Sequence, residues 1–154
     1  MIVNLPEMSI LLADDDRDDC FFFKEALEEL PVSTSLTIVN DGEQLMQHLE
    51  NNSDNLPLAL FLDFNMPRKN GFECLAEIKN HPLLKKLPVI IFSTSYDEEK
   101  ANQLYAGGVY AYICKPVDFN ELKTAIHQAL LLLQQNNLQL SKEHFLIKRA
   151  KTGS

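Results

Sequence analysis

Met8–Ser9–Ile10–Leu11–Leu12–Ala13–Asp14–Asp15–Asp16 and Leu58–Ala59–Leu60–Phe61–Leu62–Asp63 are the two stretches that decide the fold. Each is a short apolar run of the kind that makes a fully buried strand, and each stops at carboxylates. In an open parallel sheet, ligands bind beyond the carboxyl ends of the strands. If the two strands are neighbours, Asp14, Asp15 and Asp63 meet at one point. Three carboxylates crowded together do not all stay ionised without a cation, and an all-oxygen donor set suits a hard divalent ion. The pattern therefore predicts a metal, with Mg2+ foremost.

Working outward, apolar runs alternate with helical periodicity. A helix is expected over 17–30, with Phe22, Phe23, Ala26, Leu27 and Leu30 on its inner stripe and Pro31 as its stop. A short strand follows at 36–40, then a turn at Asp41–Gly42 and a helix around 43–49. After the strand at 58–62 come a helix at 71–80, with Phe72, Leu75 and Ile78 inward, and a strand at 88–92. A fourth helix at 97–106 ends at Gly107–Gly108, because glycine accepts the left-handed cap. A fifth strand at 110–114 precedes a helix capped by Asp118 and running to about Leu133. Five βα units in succession predict an α/β fold: a five-stranded, doubly wound parallel sheet with helices on both faces. The domain is expected over 8–133. Residues 134–154 read as a C-terminal extension, partly disordered or holding a short helix around His144–Ile147.

Composition narrows the function. The 154 residues suit a single globular domain, with 45% hydrophobic and 23% charged residues. No run is long and apolar enough for a membrane span, and the N-terminus lacks a signal-peptide pattern, so a cytoplasmic protein with no membrane partner is expected. A formal charge of −8 argues against nucleic-acid binding. The charge is uneven: from Gln135 onward Lys142, Lys148, Arg149 and Lys151 face only Glu143, which leaves a tail of +3 on a body of −11. Cys20, Cys74 and Cys114 are odd in number and form no metal-binding cluster, so reduced, buried thiols are expected.

The motifs now on the page resemble those of one family. ILLADDD (10–16), LDFNMPRKNGFE (62–73), IFSTS (91–95) and YICKP (112–116), in this order, resemble the receiver domain of two-component response regulators in its stand-alone, CheY-like form. The subgroup it most resembles is the small regulators that partner phytochrome-type histidine kinases. The resemblance covers about residues 8–133 and implies the strand order 2-1-3-4-5. It implies that Asp63 is the phosphoacceptor, and that Mg2+ is held by Asp15, Asp63 and the backbone carbonyl of Asn65, with Asp14 acting mainly through metal-bound water. Lys115 would pair with Asp63 before phosphoryl transfer and with the phosphate after it. Ser93 would move its hydroxyl to the phosphate, and Thr94 would donate its backbone N–H. Tyr112 would then turn inward as the aromatic half of the switch, altering the surface of the fourth helix, fifth strand and fifth helix. The Lys115–Pro116 bond is expected to be cis.

The implied partners are a sensor histidine kinase or phosphotransfer protein and a downstream protein target, with the regulator a monomer or homodimer. No output domain is expected in the residues after Leu133. The chain would be no conventional enzyme, promoting only its own phosphorylation and dephosphorylation. Phe21, left outside the helical stripe by Phe22 and Phe23, is a candidate apolar anchor for the kinase. Val109 is expected to crowd the space that Tyr112 enters, and Arg68 and Lys69 to put positive charge beside the pocket. Asp16, Asp18 and Asp19 read as solvated acids at a helix start. Two other classes compete. A haloacid-dehalogenase-type phosphatase would need a second acid at position 65, where Asn65 stands. A phosphorylation-independent interaction module would usually lack one of the acids or the lysine.

Overall fold

The computed structural model describes residues 7–135 and 145–148. Six strands and five helices alternate along the described chain: β1 (Met8–Ala13), α1 (Arg17–Glu28), β2 (Thr34–Val39), α2 (Gly42–Asn51), β3 (Ala59–Leu62), α3 (Gly71–Asn80), β4 (Val89–Ser93), α4 (Glu98–Ala106), β5 (Ala111–Cys114), α5 (Phe119–Gln135) and β6 (Leu146–Lys148). All neighbouring strands pair in parallel, in the order β2-β1-β3-β4-β5-β6. The expected order of the first five holds. The sixth strand does not match the expected frayed or helical extension: Leu146–Lys148 joins the free edge of β5 instead. An exposed strand edge offers unpaired N–H and C=O groups, and this short segment covers part of it. Gln134 and Gln135 end α5, Phe145 precedes β6, and residues 136–144 and 149–154 lie outside the described residues.

Side-chain alternation along the strands divides the core in two. Ile10, Leu12, Phe61, Ile90, Phe92 and Ile113 point to the face covered by α1 and α5. Leu11, Leu60, Leu62, Val89, Ile91 and Tyr112 point to the face covered by α2, α3 and α4. The inner strands are buried on both sides, so they read as unbroken apolar runs. β2 lies at an edge with an alternating, half-buried pattern, so its polar Thr34 and Ser35 extend the strand beyond its apolar part. Asp16, Asp41, Asn70 and Asp97 cap α1, α2, α3 and α4, each side chain accepting from a first-turn backbone N–H. Asp118 does the same at the start of α5, accepting from Asn120 and Glu121. Gly108 takes a φ of 92° after α4, the conformation that favours glycine there.

Two aromatic assignments change. Phe22 is 48% exposed and Phe21 56%, while Phe23 is fully buried against Phe61 and Phe92. The inner stripe of α1 is Cys20, Phe23, Ala26 and Leu27, which places Phe22 outside it. Phe72 is also exposed rather than inward; it stacks flat on Phe64, with ring centroids 4.2 Å apart. All three cysteines are free and buried. Burial pushes the Cys20 thiol up to about 12 and the Cys74 thiol up to about 11.

Candidate functional site

The register of the sheet builds the site. Ala13 pairs with Leu62, so the next residues, Asp14 and Asp63, emerge side by side at the carboxyl edge. The Asp63 N–H donates to the Ala13 carbonyl (3.0 Å), which extends the ladder to the acidic residue itself. On the other side Ser93 pairs with Cys114, and the Lys115 N–H donates to the Ser93 carbonyl (2.8 Å). Four strand ends thus deliver Asp14, Asp63, Ser93 and Lys115 to one edge, as parallel pairing dictates.

Asp14, Asp15 and Asp63 each offer a carboxylate oxygen, and the three oxygens lie within 4.8 Å of one another. Asp14 is fully buried, Asp63 nearly so, and Asp15 is open to solvent. Backbone groups hold the cluster: the Asp16 N–H donates to Asp14 Oδ1 (3.0 Å) and the Asn65 N–H to Asp63 Oδ1 (3.3 Å). Cys20 Sγ and Asn40 Nδ2 donate to the Asp14 carbonyl, at 3.4 and 3.1 Å. The pocket is therefore braced from α1 and from the turn after β2.

Lys115 is the counter-charge. Its side chain is 8% exposed, and Nζ lies 2.7 Å from Asp14 Oδ2, 2.8 Å from Asp19 Oδ2 and 3.4 Å from Asp63 Oδ2. The contacts to Asp19 and Asp63 are aligned hydrogen bonds. Asp14 Oδ2 is close to the ammonium but receives no aligned donor, so it is a buried acceptor with charge compensation and no directed bond. Nζ also sits 5.3 Å from the centre of the Phe92 ring. Burial works against the charged ammonium, but the close carboxylates of Asp14, Asp19 and Asp63 outweigh it and raise the Lys115 pKa. Burial pushes the Asp14 carboxyl up to about 6; Lys115 and the Asp16 N–H pull it down, and the Asp63 charge adds to the rise. The Lys115–Pro116 peptide is trans, not cis. The lysine is aimed by the strand register and the three carboxylates.

The donor chemistry fits a divalent cation. The candidate ligands are oxygens from two buried carboxylates and one exposed one, and a buried Asp14 oxygen lacks a directed partner. Asp14, Asp15 and Asp63 converge as the sequence requires. Asn65 stands beside them, exposed, two residues past Asp63. Ser93 is fully buried, and its Oγ lies 3.4 Å from the Ser95 hydroxyl and 3.4 Å from the Ser95 N–H. Thr94 is exposed at the rim. Tyr112 is buried, with its hydroxyl donating to the Ser95 carbonyl and its ring edge-on to Tyr96 and Phe145. Burial pushes its phenol up to about 12. Val109 is buried in the same core cluster.

Asp19 is the site residue that sequence reading misses. It sits three residues into a run of acids at a helix start, where a solvated carboxylate is the ordinary expectation. Only its phase on α1 relative to Cys20 and Phe23 could have placed it toward the sheet edge. Arg68 and Lys69 also differ from expectation. Arg68 pairs with Asp41 (3.6 Å) and Glu43 (4.0 Å), and Lys69 pairs with Glu77, so both charges are matched locally.

A family model described as the response regulator receiver domain matches residues 10–127. The chain belongs to this family. This receiver domain is 33% identical over 121 residues to response regulator Rcp1 of Synechocystis, a match covering 76% of this chain and 82% of that protein. Among solved structures, the phosphorylated cyanobacterial phytochrome response regulator RcpA superposes with a TM-score of 0.75 at 32% identity, covering 84% of this chain and 95% of that one. The Mn2+-bound form of Rcp1 gives a TM-score of 0.71 at 30% identity, covering 87% and 99%. Receiver domains of this family are signalling proteins of two-component systems, and RcpA is a phytochrome response regulator. Among the described residues, no helix is long and apolar enough to cross a membrane.

Proposed function

We propose that this receiver domain accepts a phosphoryl group on Asp63 from a histidine kinase or phosphotransfer protein, and that phosphorylation alters its α4–β5–α5 surface for a downstream protein. The observation that carries the proposal is the pairing of the Asp14–Asp15–Asp63 oxygen cluster with Lys115 Nζ, 3.4 Å from Asp63. A carboxylate can act as a covalent nucleophile and form an acyl phosphate. The Asp63 oxygen forms the new bond to phosphorus as the bond to the donor's histidine nitrogen breaks. Lys115 then follows the charge from the carboxylate to the phosphoryl oxygens. Mg2+, held by Asp15, Asp63 and the Asn65 carbonyl with Asp14 acting through water, would supply the positive charge that phosphoryl transfer between anions needs. The Mn2+ form of Rcp1 supports a divalent ion in such a domain.

Ser93 and Thr94 stand at the end of β4 to receive the phosphoryl oxygens, Ser93 through its hydroxyl and Thr94 through its backbone N–H. Drawing the Ser93 hydroxyl toward the phosphate breaks its contacts with Ser95, the residue whose carbonyl accepts from Tyr112. Ser93, Ser95 and Tyr112 thereby couple the site to the face where α4, β5 and α5 meet, the general logic of a modification switch. Likeness to the phytochrome response regulator RcpA supports a phytochrome-type kinase as donor. Exposed Phe21 and Phe22, on the α1 side of the pocket, suit docking of the donor's helices. The receiver unit is taken as 8–133, with 134–154 as its extension.

The test is phosphorylation by acetyl phosphate with and without Mg2+, on the wild type and Asp63→Asn, read by intact mass. A single adduct that requires Mg2+ and is lost in Asp63→Asn supports the reading. No adduct in the folded wild type, together with no response to beryllofluoride, overturns it in favour of a phosphorylation-independent interaction module.

A further inference from the structure

Lys115 is shared by three carboxylates, and only two of them belong to the oxygen cluster. Asp14 and Asp63 do; Asp19 does not. Asp19 reaches the ammonium from the first turn of α1, with its own N–H held by the Asp16 cap (3.0 Å). Its bond to Lys115, at 2.8 Å, is shorter than that of Asp63, at 3.4 Å. An ammonium has three protons to give, and here three carboxylates surround it.

We infer that Asp19 is a positioning residue that competes with Asp63 for Lys115 and so restrains the lysine from the phosphoryl group. The inference rests on Asp63 being the phosphoacceptor. A divalent cation on the Asp14–Asp15–Asp63 cluster would offset two of its three charges and leave Asp19 outside its ligand set. Asp19 then becomes the carboxylate that still holds Lys115 when negative charge arrives on Asp63. Drawing the ammonium toward the phosphoryl oxygens lengthens or breaks a charge-assisted bond. Removing Asp19 therefore favours the phosphorylated form. Asp18, one residue earlier on the same helix and exposed, has the same charge and makes no contact with Lys115 among the described interactions.

The experiment is a double-mutant cycle on the full chain with beryllofluoride as the probe, in saturating Mg2+. Asp19→Asn should tighten beryllofluoride binding about two- to fivefold, the upper part of the range expected for a partly exposed ion pair that is lost on binding. Asp18→Asn, which removes the same charge without the contact, should change it less than about twofold. In a Lys115→Met background, Asp19→Asn should have no further effect. Equal effects of Asp19→Asn and Asp18→Asn would reduce Asp19 to a general field and overturn the inference. So would an Asp19→Asn effect that persists without Lys115, or weaker binding in Asp19→Asn. Urea unfolding in EDTA of the wild type, Asp19→Asn, Lys115→Met and the double variant reads the Asp19–Lys115 coupling separately. Zero coupling there overturns the contact itself. Clear coupling with no beryllofluoride binding in the wild type instead removes the phosphoacceptor reading, and the competition with it.

Discussion

Asp14→Asn should stabilise the metal-free protein at neutral pH, although it removes a central member of the site. Asp14 is fully buried with one oxygen lacking a directed donor, and burial moves its carboxyl from 3.8 up to about 6. A group whose folded pKa is raised adds stability that is complete below its unfolded pKa and disappears as pH rises through its folded one. For Asp14 that window runs from about 4 to about 6, so above it the wild type carries the full cost of an ionised buried acid. A shift of this size corresponds to about 3 kcal/mol. Solvent reaching the pocket through Asp15 and the partly exposed Asp19 reduces the expected gain for Asn to about 1–2 kcal/mol. That is a rise in Tm of about 3–8 °C for a domain of this length. The assay is urea unfolding in EDTA at intervals from pH 4 to pH 8, comparing wild type with Asp14→Asn so that the other carboxylates cancel. The gap should be largest above pH 7 and close toward pH 4. Millimolar Mg2+ should narrow or invert it, because only the wild type keeps the full ligand set. A variant that is less stable than the wild type at pH 7.5 in EDTA, or a gap that does not vary with pH, would refute the argument.

Three further outcomes follow from packing. Phe145 is buried against Tyr105 and Tyr112, so Phe145→Ala should cost about 1–3 kcal/mol and release β6, seen as faster amide exchange along β5. At Gly71 an alanine Cβ would come within 2.5 Å of the Phe64 ring and 2.7 Å of its Cα, so Gly71→Ala should destabilise by about 1–3 kcal/mol in urea and weaken divalent-ion binding by displacing the segment after Asp63. Cys20, Cys74 and Cys114 are buried, and burial raises the first two thiols, so none should react with a thiol reagent at pH 8 until the protein is unfolded, when all three should.

The inner sheet and the acidic cluster were legible because both follow from one-dimensional patterns. Strands buried on both faces leave unbroken apolar runs, and parallel pairing brings their ends to one edge, so Asp14 and Asp63 are neighbours once β1 and β3 are. The parts that were not legible depend on three-dimensional phase. Phe22 and Cys20 differ by two residues on α1, yet the sheet selects Cys20, and an apolar count cannot choose between them. Phe72 is apolar and at helical spacing, but a flat stack on Phe64 covers one face and leaves the other to solvent. β6 has only three residues, too few to show a period, and its identity comes from the open edge of β5 and the seat for Phe145. Asp19 is hidden for the opposite reason. Acids at a helix start already have an ordinary explanation, so its reach to Lys115 shows only when the strand ends are in place.

The charge balance of the pocket explains why those strand ends need both a lysine and a cation. Asp14, Asp15, Asp19 and Asp63 against Lys115 give a net charge of −3 if all are ionised. Lys115 alone offsets only one of those four charges. A divalent ion on the cluster would bring the sum to −1. An acyl phosphate on Asp63 replaces a single charge with one of about −2, and the pocket falls short of positive charge once more. The deficit then lies on the phosphoryl oxygens, and the mobile cation that can answer it is the Lys115 ammonium. Its other partners differ in what they let it do. Asp14 would be compensated by such an ion and could give the lysine up, whereas Asp19 lies outside the cluster and could not. The residue proposed to oppose the lysine's transfer thus lies in the first turn of α1, outside the acidic cluster that precedes it.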